Sequence, residues 1–142
     1  MDWHHGDYCL TDDLARLDLE GVCALLHSTY WASQRSREII EKSLQHSINF
    51  SLLRSGVQVG FARVITDYST HGYLCDVVIA EEHRGKGVGK WMLRRILDHP
   101  ALCSCRIDLF TRNAQGFYRG FGFGTHKDEC LVHYPASVSP MA

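Results

Sequence analysis

Residues 84–89 read Arg84-Gly85-Lys86-Gly87-Val88-Gly89, within the longer stretch EEHRGKGVGKWM at residues 81–92. Glycines at alternate positions imply backbone that takes positive φ or that something approaches closely. The apolar run DVVIA, residues 76–80, leads into the stretch. Apolar spacing beyond it, at Val88, Trp91, Met92, Ile96 and Leu97, predicts a helix from Val88 to Leu97. A helix start carries unpaired N–H groups and the positive end of a dipole. Glycines there let a pyrophosphate sit directly on those N–H groups. Arg84, Lys86 and Lys90 add positive charge. Arg84, Gly85, Lys86, Gly87, Val88, Gly89 and Lys90 are therefore candidate residues for a phosphate-bearing ligand.

Three phosphate motifs compete for this stretch. The P-loop needs glycine at position 84 and serine or threonine at 91, where Arg84 and Trp91 stand. The dinucleotide fingerprint GxGxxG is one residue too long for Gly85-Lys86-Gly87-Val88-Gly89, and the nearest acid at its usual distance, Asp108, falls inside a predicted strand rather than at its end. The third pattern, R/Q-x-x-G-x-G/A, is met throughout by residues 84–89.

Outward from the loop, the chain reads as one domain over residues 1–142, with a loose tail at 135–142. Net charge is −1, so no overall field favours nucleic acid. No apolar run approaches the roughly 20 residues that span a bilayer. Met1-Asp2-Trp3-His4-His5 lacks a cationic region followed by an apolar one, so no signal peptide is expected and the expected location is cytoplasmic. Six cysteines are expected as free thiols. Cys103-Ser104-Cys105 with His99 lacks the paired spacing of a zinc site, and no metal is expected.

Thr11 is expected to cap a helix beginning near Asp12, with Leu14, Leu17, Val22, Leu25 and Leu26 inward. A second helix is expected over Ser36 to His46, with Ile39, Ile40 and Leu44 inward. Ile48, Phe50 and Leu52 alternate as a strand, Ser55-Gly56 turns, and Val57, Val59, Phe61, Arg63 and Ile65 share one face of the next. Tyr73 to Ala80 reads as a central strand covered on both faces. A short strand at Arg106 to Phe110, a short helix at Ala114 to Arg119 and a last strand at Glu129 to Tyr134 complete the order, with a further strand near Tyr8 to Leu10. Such an order implies one mixed sheet with helices packed on it.

The glycine stretch resembles the acetyl-CoA-binding motif of the GNAT N-acetyltransferase superfamily. LFTRNAQGFYRGFGF, residues 109–123, resembles that superfamily's next motif, with Ala114, Tyr118, Gly122 and Phe123 matching and Thr111 standing where asparagine is common. YWASQRS at 30–36 and GFARVITD at 60–67 look like one bacterial branch of small members. The resemblance implies the GNAT acyl-CoA N-acyltransferase fold: α/β, with a central mixed, mostly antiparallel sheet flanked by helices. It further implies that the strand before the loop splays from its neighbour, so that backbone near Val78 and Ile79 holds the pantetheine arm. Thr111 and Ala114 are implied cofactor contacts, and Tyr118 is the implied catalytic group, assisting the departing thiolate. Tyr30, Trp31 and Arg35 lie where the family covers its acceptor, with His71 and Tyr73 flanking.

Asp76 stands out because it lies inside an otherwise apolar strand. A tight turn around Ser69-Thr70 sets Arg63 and Asp76 opposite each other, and a cross-strand ion pair is expected beside the amine pocket. Arg63 and Arg35 would favour an acceptor with a carboxylate, Asp76 one with a cation. The implied function is transfer of the acetyl group of acetyl-CoA to a primary amine of a small molecule by direct attack in a ternary complex, with CoA as product. Acetylation of a peptide amine and a non-catalytic acyl-CoA-binding module are the alternatives. The resemblance allows a homodimer.

Overall fold

The structure, a computed structural model, describes residues 1–126 and 130–136. The chain divides into two compact units, Met1–Phe110 and Thr111–Ala142.

In the first unit one six-stranded sheet runs in chain order: β1 (Asp2–His5), β2 (Tyr8–Thr11), β3 (Ile48–Arg54), β4 (Val57–Thr66), β5 (His71–Ile79) and β6 (Arg106–Asp108). Neighbours are antiparallel except β5 and β6, which run parallel. The sheet is thus mixed and mostly antiparallel, as expected. Two-residue turns close the first two hairpins. Gly6 enters its turn at φ +56, and Ser55 and Gly56 take +49 and +79, the left-handed pair that matches strand twist.

Phe50 pairs with Ala62 and Phe61 with Ser51, so Phe50 and Phe61 point to opposite faces. On the Phe61 face lie α1 (Leu19–His27) and α2 (Arg37–Leu44), which bury Val22, Leu25, Leu26, Ile40 and Leu44 with Phe61 and Val78. On the Phe50 face lies α3 (Val88–Leu97), burying Val88, Met92, Leu93 and Ile96. Trp91 stacks on His5 of β1 at 5.3 Å, and His99, just past α3, meets the Phe50 ring edge-on.

Several expectations are corrected. Thr11 does not cap a helix: it ends β2, Asp13 caps a single 3-10 turn at 14–16, and α1 starts only at Leu19. Leu14 is exposed in consequence. Ser36 does cap α2, accepting the Ile39 N–H at 3.2 Å, but Ile39 itself faces solvent. β1 went unread because Asp2-Trp3-His4-His5 has no apolar alternation. In β4 a bulge at Val59 breaks the alternation, leaving Val57 exposed and Gln58 buried. β5 alternates buried and half-buried residues instead of being covered on both faces. Leu93, not Trp91 or Leu97, completes the buried stripe of α3.

The second unit holds α4 (Gln115–Arg119). Ala114, expected within this helix, precedes it as its cap residue, and the Tyr118 N–H donates to the Ala114 carbonyl at 3.2 Å. No strand forms over residues 130–134, and Glu129, the start of the expected last strand, lies outside the described residues.

Candidate active site

β5 is paired along its length with β4, but β6 accompanies it only from His71 to Tyr73. Beyond Tyr73 no strand among the described residues pairs with that edge of β5, which is open there. Ala80 donates its N–H to Val59 of β4 at 2.8 Å, so the amide of the preceding residue, Ile79, faces the open edge. The Ile79 carbonyl on the same edge is held by Arg84 Nε at 2.8 Å. Arg84 thus fixes the junction between strand and glycine loop, a role the sequence does not announce.

The loop then takes left-handed backbone twice, at Gly85 (φ +75) and Gly87 (φ +79). A Cβ on either would meet no atom within 4 Å. The glycines therefore serve backbone conformation and leave open space above it. Gly89 lies within the first turn of α3, in ordinary helical conformation. Gly87 is the cap residue of α3 and offers no side chain to the first N–H groups. Val88 is buried beneath, while Lys86 and Lys90 are exposed. An open strand edge, a side-chain-free helix start and flanking cations fit a long thioester arm ending in a pyrophosphate.

The face of the sheet beneath α1 and α2 carries a cluster of charged groups. β5 holds one residue more than β4 between the pairs Phe61–Val78 and Arg63–Cys75. This bulge puts Asp76 at φ +55, where few non-glycine residues sit, and turns its side chain inward. Asp76 Oδ2 accepts Arg63 Nε and Arg35 Nη1, both at 2.7 Å, and Oδ1 accepts Trp31 Nε1 at 3.1 Å. The expected ion pair between Arg63 and Asp76 is present, but Arg63 stands opposite Cys75: the bulge shifts the register by one and Asp76 still reaches. Burial would raise the Asp76 pKa, and the two guanidinium groups overcome that and hold it below the ordinary carboxylate range. Burial also pushes the neighbouring Cys75 thiol up to about 11, so it stays protonated.

The connection between α1 and α2 is fixed in place by groups the sequence reading passed over. Thr29 accepts the Ala32 N–H and donates to the Leu26 carbonyl, and His27 Nε2 meets the Arg35 carbonyl at 2.7 Å; beyond α2, Ser47 receives Arg63 Nη1 at 3.1 Å. Nothing in their spacing signals these contacts. Tyr30 packs its ring edge-on against Trp31, and both are exposed at the turn. Tyr73 meets Phe110 at 6.0 Å, and His71 pairs with Asp108. The structure thus gathers Trp31, Arg35, Arg63 and Asp76 into one cluster.

Thr111, Ala114 and Tyr118 belong to the second unit. Thr111 Oγ1 accepts the Ala114 N–H at 3.1 Å in the local turn and keeps its O–H as a donor. Tyr118 is half-buried, with its ring against Phe117 and Phe123. Burial pushes its phenol above the ordinary value. Cys103 and Cys105 turn their sulfurs to the Pro100 and Ala101 carbonyls, while His99 holds Asp12, so these residues do not converge. Asp2, His4 and Cys9 do approach one another, but Arg16 Nη1 sits on Asp2 at 2.5 Å and near Cys9, a cation where a metal would be.

Residues 18–123 match the family model described as the acetyltransferase (GNAT) family. A solved structure from Xanthomonas campestris, provisionally named an acetyltransferase of the GNAT family, is 32% identical and superimposes with a TM-score of 0.83 over 91% of this chain and 96% of that one. A Gibberella zeae protein, provisionally named an acetyltransferase, is 36% identical over 114 residues; the match spans 66% of this chain and 64% of that relative. N-acetylglutamate synthase from Neisseria gonorrhoeae, solved with coenzyme A and N-acetyl-glutamate, shares the fold at 19% identity and a TM-score of 0.72, over 87% of this chain and 30% of its own. Among the described residues no helix is long and apolar enough to cross a membrane.

Proposed function

The chain belongs to the acetyltransferase (GNAT) family, and from that premise we propose that it moves the acetyl group of acetyl-CoA to a primary amine of a small molecule. The observation that carries this reading is the open edge of β5, ending at the Ile79 amide beside a glycine-opened, uncapped helix start. The reading takes residues 1–142 as one acetyltransferase domain, since the family match runs through both units.

Acetyl-CoA supplies the activated acetyl thioester. The first N–H groups of α3, with Lys86 and Lys90, would hold its pyrophosphate. The open edge at Val78 and Ile79 would hold the pantetheine arm. The Ile79 N–H would donate to the acetyl carbonyl oxygen as negative charge develops there. The Tyr118 hydroxyl would donate to the departing sulfur, and its raised pKa keeps it protonated for that task. Asp76 is already ionised and engaged by three donors, which suits it to shaping the pocket rather than to taking a proton from the amine. A bound amine that loses its proton to water needs no side-chain base. The α1–α2 connection, tied onto β5 through Trp31 and Arg35, roofs the acceptor face, which suits a small amine.

The test is incubation with acetyl-CoA and a panel of small amines while free thiol is followed. Thiol release that depends on both the protein and an amine supports the reading. Tight acetyl-CoA binding with no release for any amine overturns it.

A further inference from the structure

The two arginines and one carboxylate beside the bulge leave a definite charge on the acceptor face. Asp76 is spent: both its oxygens accept, and its side chain is 2% exposed. Two guanidinium groups less one carboxylate make the cluster +1. Among the described residues no other carboxylate forms an ion pair with Arg35 or Arg63.

The surplus sits on Arg35. Arg63 is the more enclosed of the two, at 12% exposure, with Nε on Asp76 and Nη1 on Ser47. Arg35 is 24% exposed and spends only Nη1 on Asp76; its Nε and Nη2 have no partner among the described residues. Its backbone is fixed by the His27 contact and by its own N–H to the Ala32 carbonyl at 3.1 Å. An arginine held by its neighbours, with one edge of its fork unused, is arranged for a planar two-oxygen anion. A surplus of one charge matches a carboxylate better than a doubly charged phosphate.

We propose that the acceptor is an amine that also carries a carboxylate, and that Arg35, positioned by Asp76 and Trp31, receives that carboxylate. The proposal rests on the acetyl-transfer reading and narrows its substrate to amino acids and their homologues. Asp76 neutralises one arginine so that the other is not repelled from the site, and it does not itself recruit a cationic acceptor.

The test uses acid and amide pairs of equal size, with kcat/KM referred to the neutral fraction of each amine: glycine and glycinamide, β-alanine and β-alaninamide, 4-aminobutyrate and 4-aminobutanamide. With the wild-type protein and acetyl-CoA, the acid of the best-fitting pair should exceed its amide in kcat/KM by about tenfold or more, as expected for a charge-assisted hydrogen-bonded contact. Arg35→Gln should bring that ratio to about one with acetyl-CoA affinity unchanged, and Arg35→Lys should keep part of the preference. The same pairs are titrated into CoA-saturated protein while the Trp31 indole N–H signal is followed by NMR. A signal that moves for the acids about tenfold more readily than for the amides supports the anion site even if no amine is turned over, in which case the acetyl-transfer reading falls alone. Equal response to acids and amides in both measurements, or a preference for the amides, overturns the proposal.

Discussion

Three donors converge on the carboxylate of Asp76, and the residue occupies left-handed backbone to receive them. Such a conformation costs on the order of 1 kcal/mol and persists only where the surroundings fix it. Removing the charge leaves two guanidinium groups facing each other in a half-buried setting. Asp76→Asn is therefore expected to destabilise the fold at neutral pH by about 3 kcal/mol. The pH dependence follows from the lowered pKa. A carboxyl held below its ordinary range contributes stability above that range and loses it as pH falls through the folded-state value. Thermal unfolding of both proteins from neutral pH down to about 3 should show the gap closing toward the acid end. A gap that stays constant would assign the loss to shape rather than to charge. The proposed mechanism gives Tyr118 a role at the departing thiolate. Tyr118→Phe removes only the hydroxyl and keeps the ring that packs on Phe117 and Phe123. Turnover should fall by about tenfold or more with acetyl-CoA affinity kept, as for an interaction made only late in the reaction. Unchanged turnover would remove Tyr118 from the mechanism.

Elements differ in how openly the sequence states them. α3 was legible to both ends, because a glycine cluster and an apolar stripe agree with one another. α1 was misplaced because Thr11-Asp12-Asp13 carries a capping composition, whereas Thr11 belongs to β2 and pairs with Ser51. Strand pairing overrode a local preference there. The bulge at Asp76 could not be read at all: one extra residue in β5 is visible only once its partner in β4 is known. The pairing of Arg63 with Asp76 was legible because a one-residue shift in register lies within reach of an arginine side chain. The loop offers a test at this scale. Gly87 and Gly56 share φ +79, and a side chain at either is strained by about 1–2 kcal/mol. Gly87→Ala should weaken acetyl-CoA by about tenfold in calorimetric titration, whereas Gly56→Ala, in the β3–β4 turn, should leave it unchanged. Equal effects would mean that general stability, not the seat for the ligand, is being measured.

Across the whole molecule net charge is −1, with Lys86 and Lys90 exposed at the start of α3 and Arg35 in the α1–α2 connection. On the proposed reading the sheet separates two tasks: its open edge and the start of α3 would address the donor, and the face under α1 and α2 the acceptor. The donor half follows a spaced motif within six residues, so one sequence displays it. The acceptor half joins residues 31, 35, 63 and 76, which come together only through folding, and their combined charge could not be summed before their contacts were known. On the proposed reading, the acetyl carbon leaves the thioester for an amine. Incubating the protein with amines and acetyl-CoA labelled with ¹³C at the acetyl carbonyl, and following that carbon by NMR, puts this to the test. The thioester signal should be replaced by an amide signal in step with free thiol. A signal that stays in the thioester, or passes to free acetate instead, would contradict it.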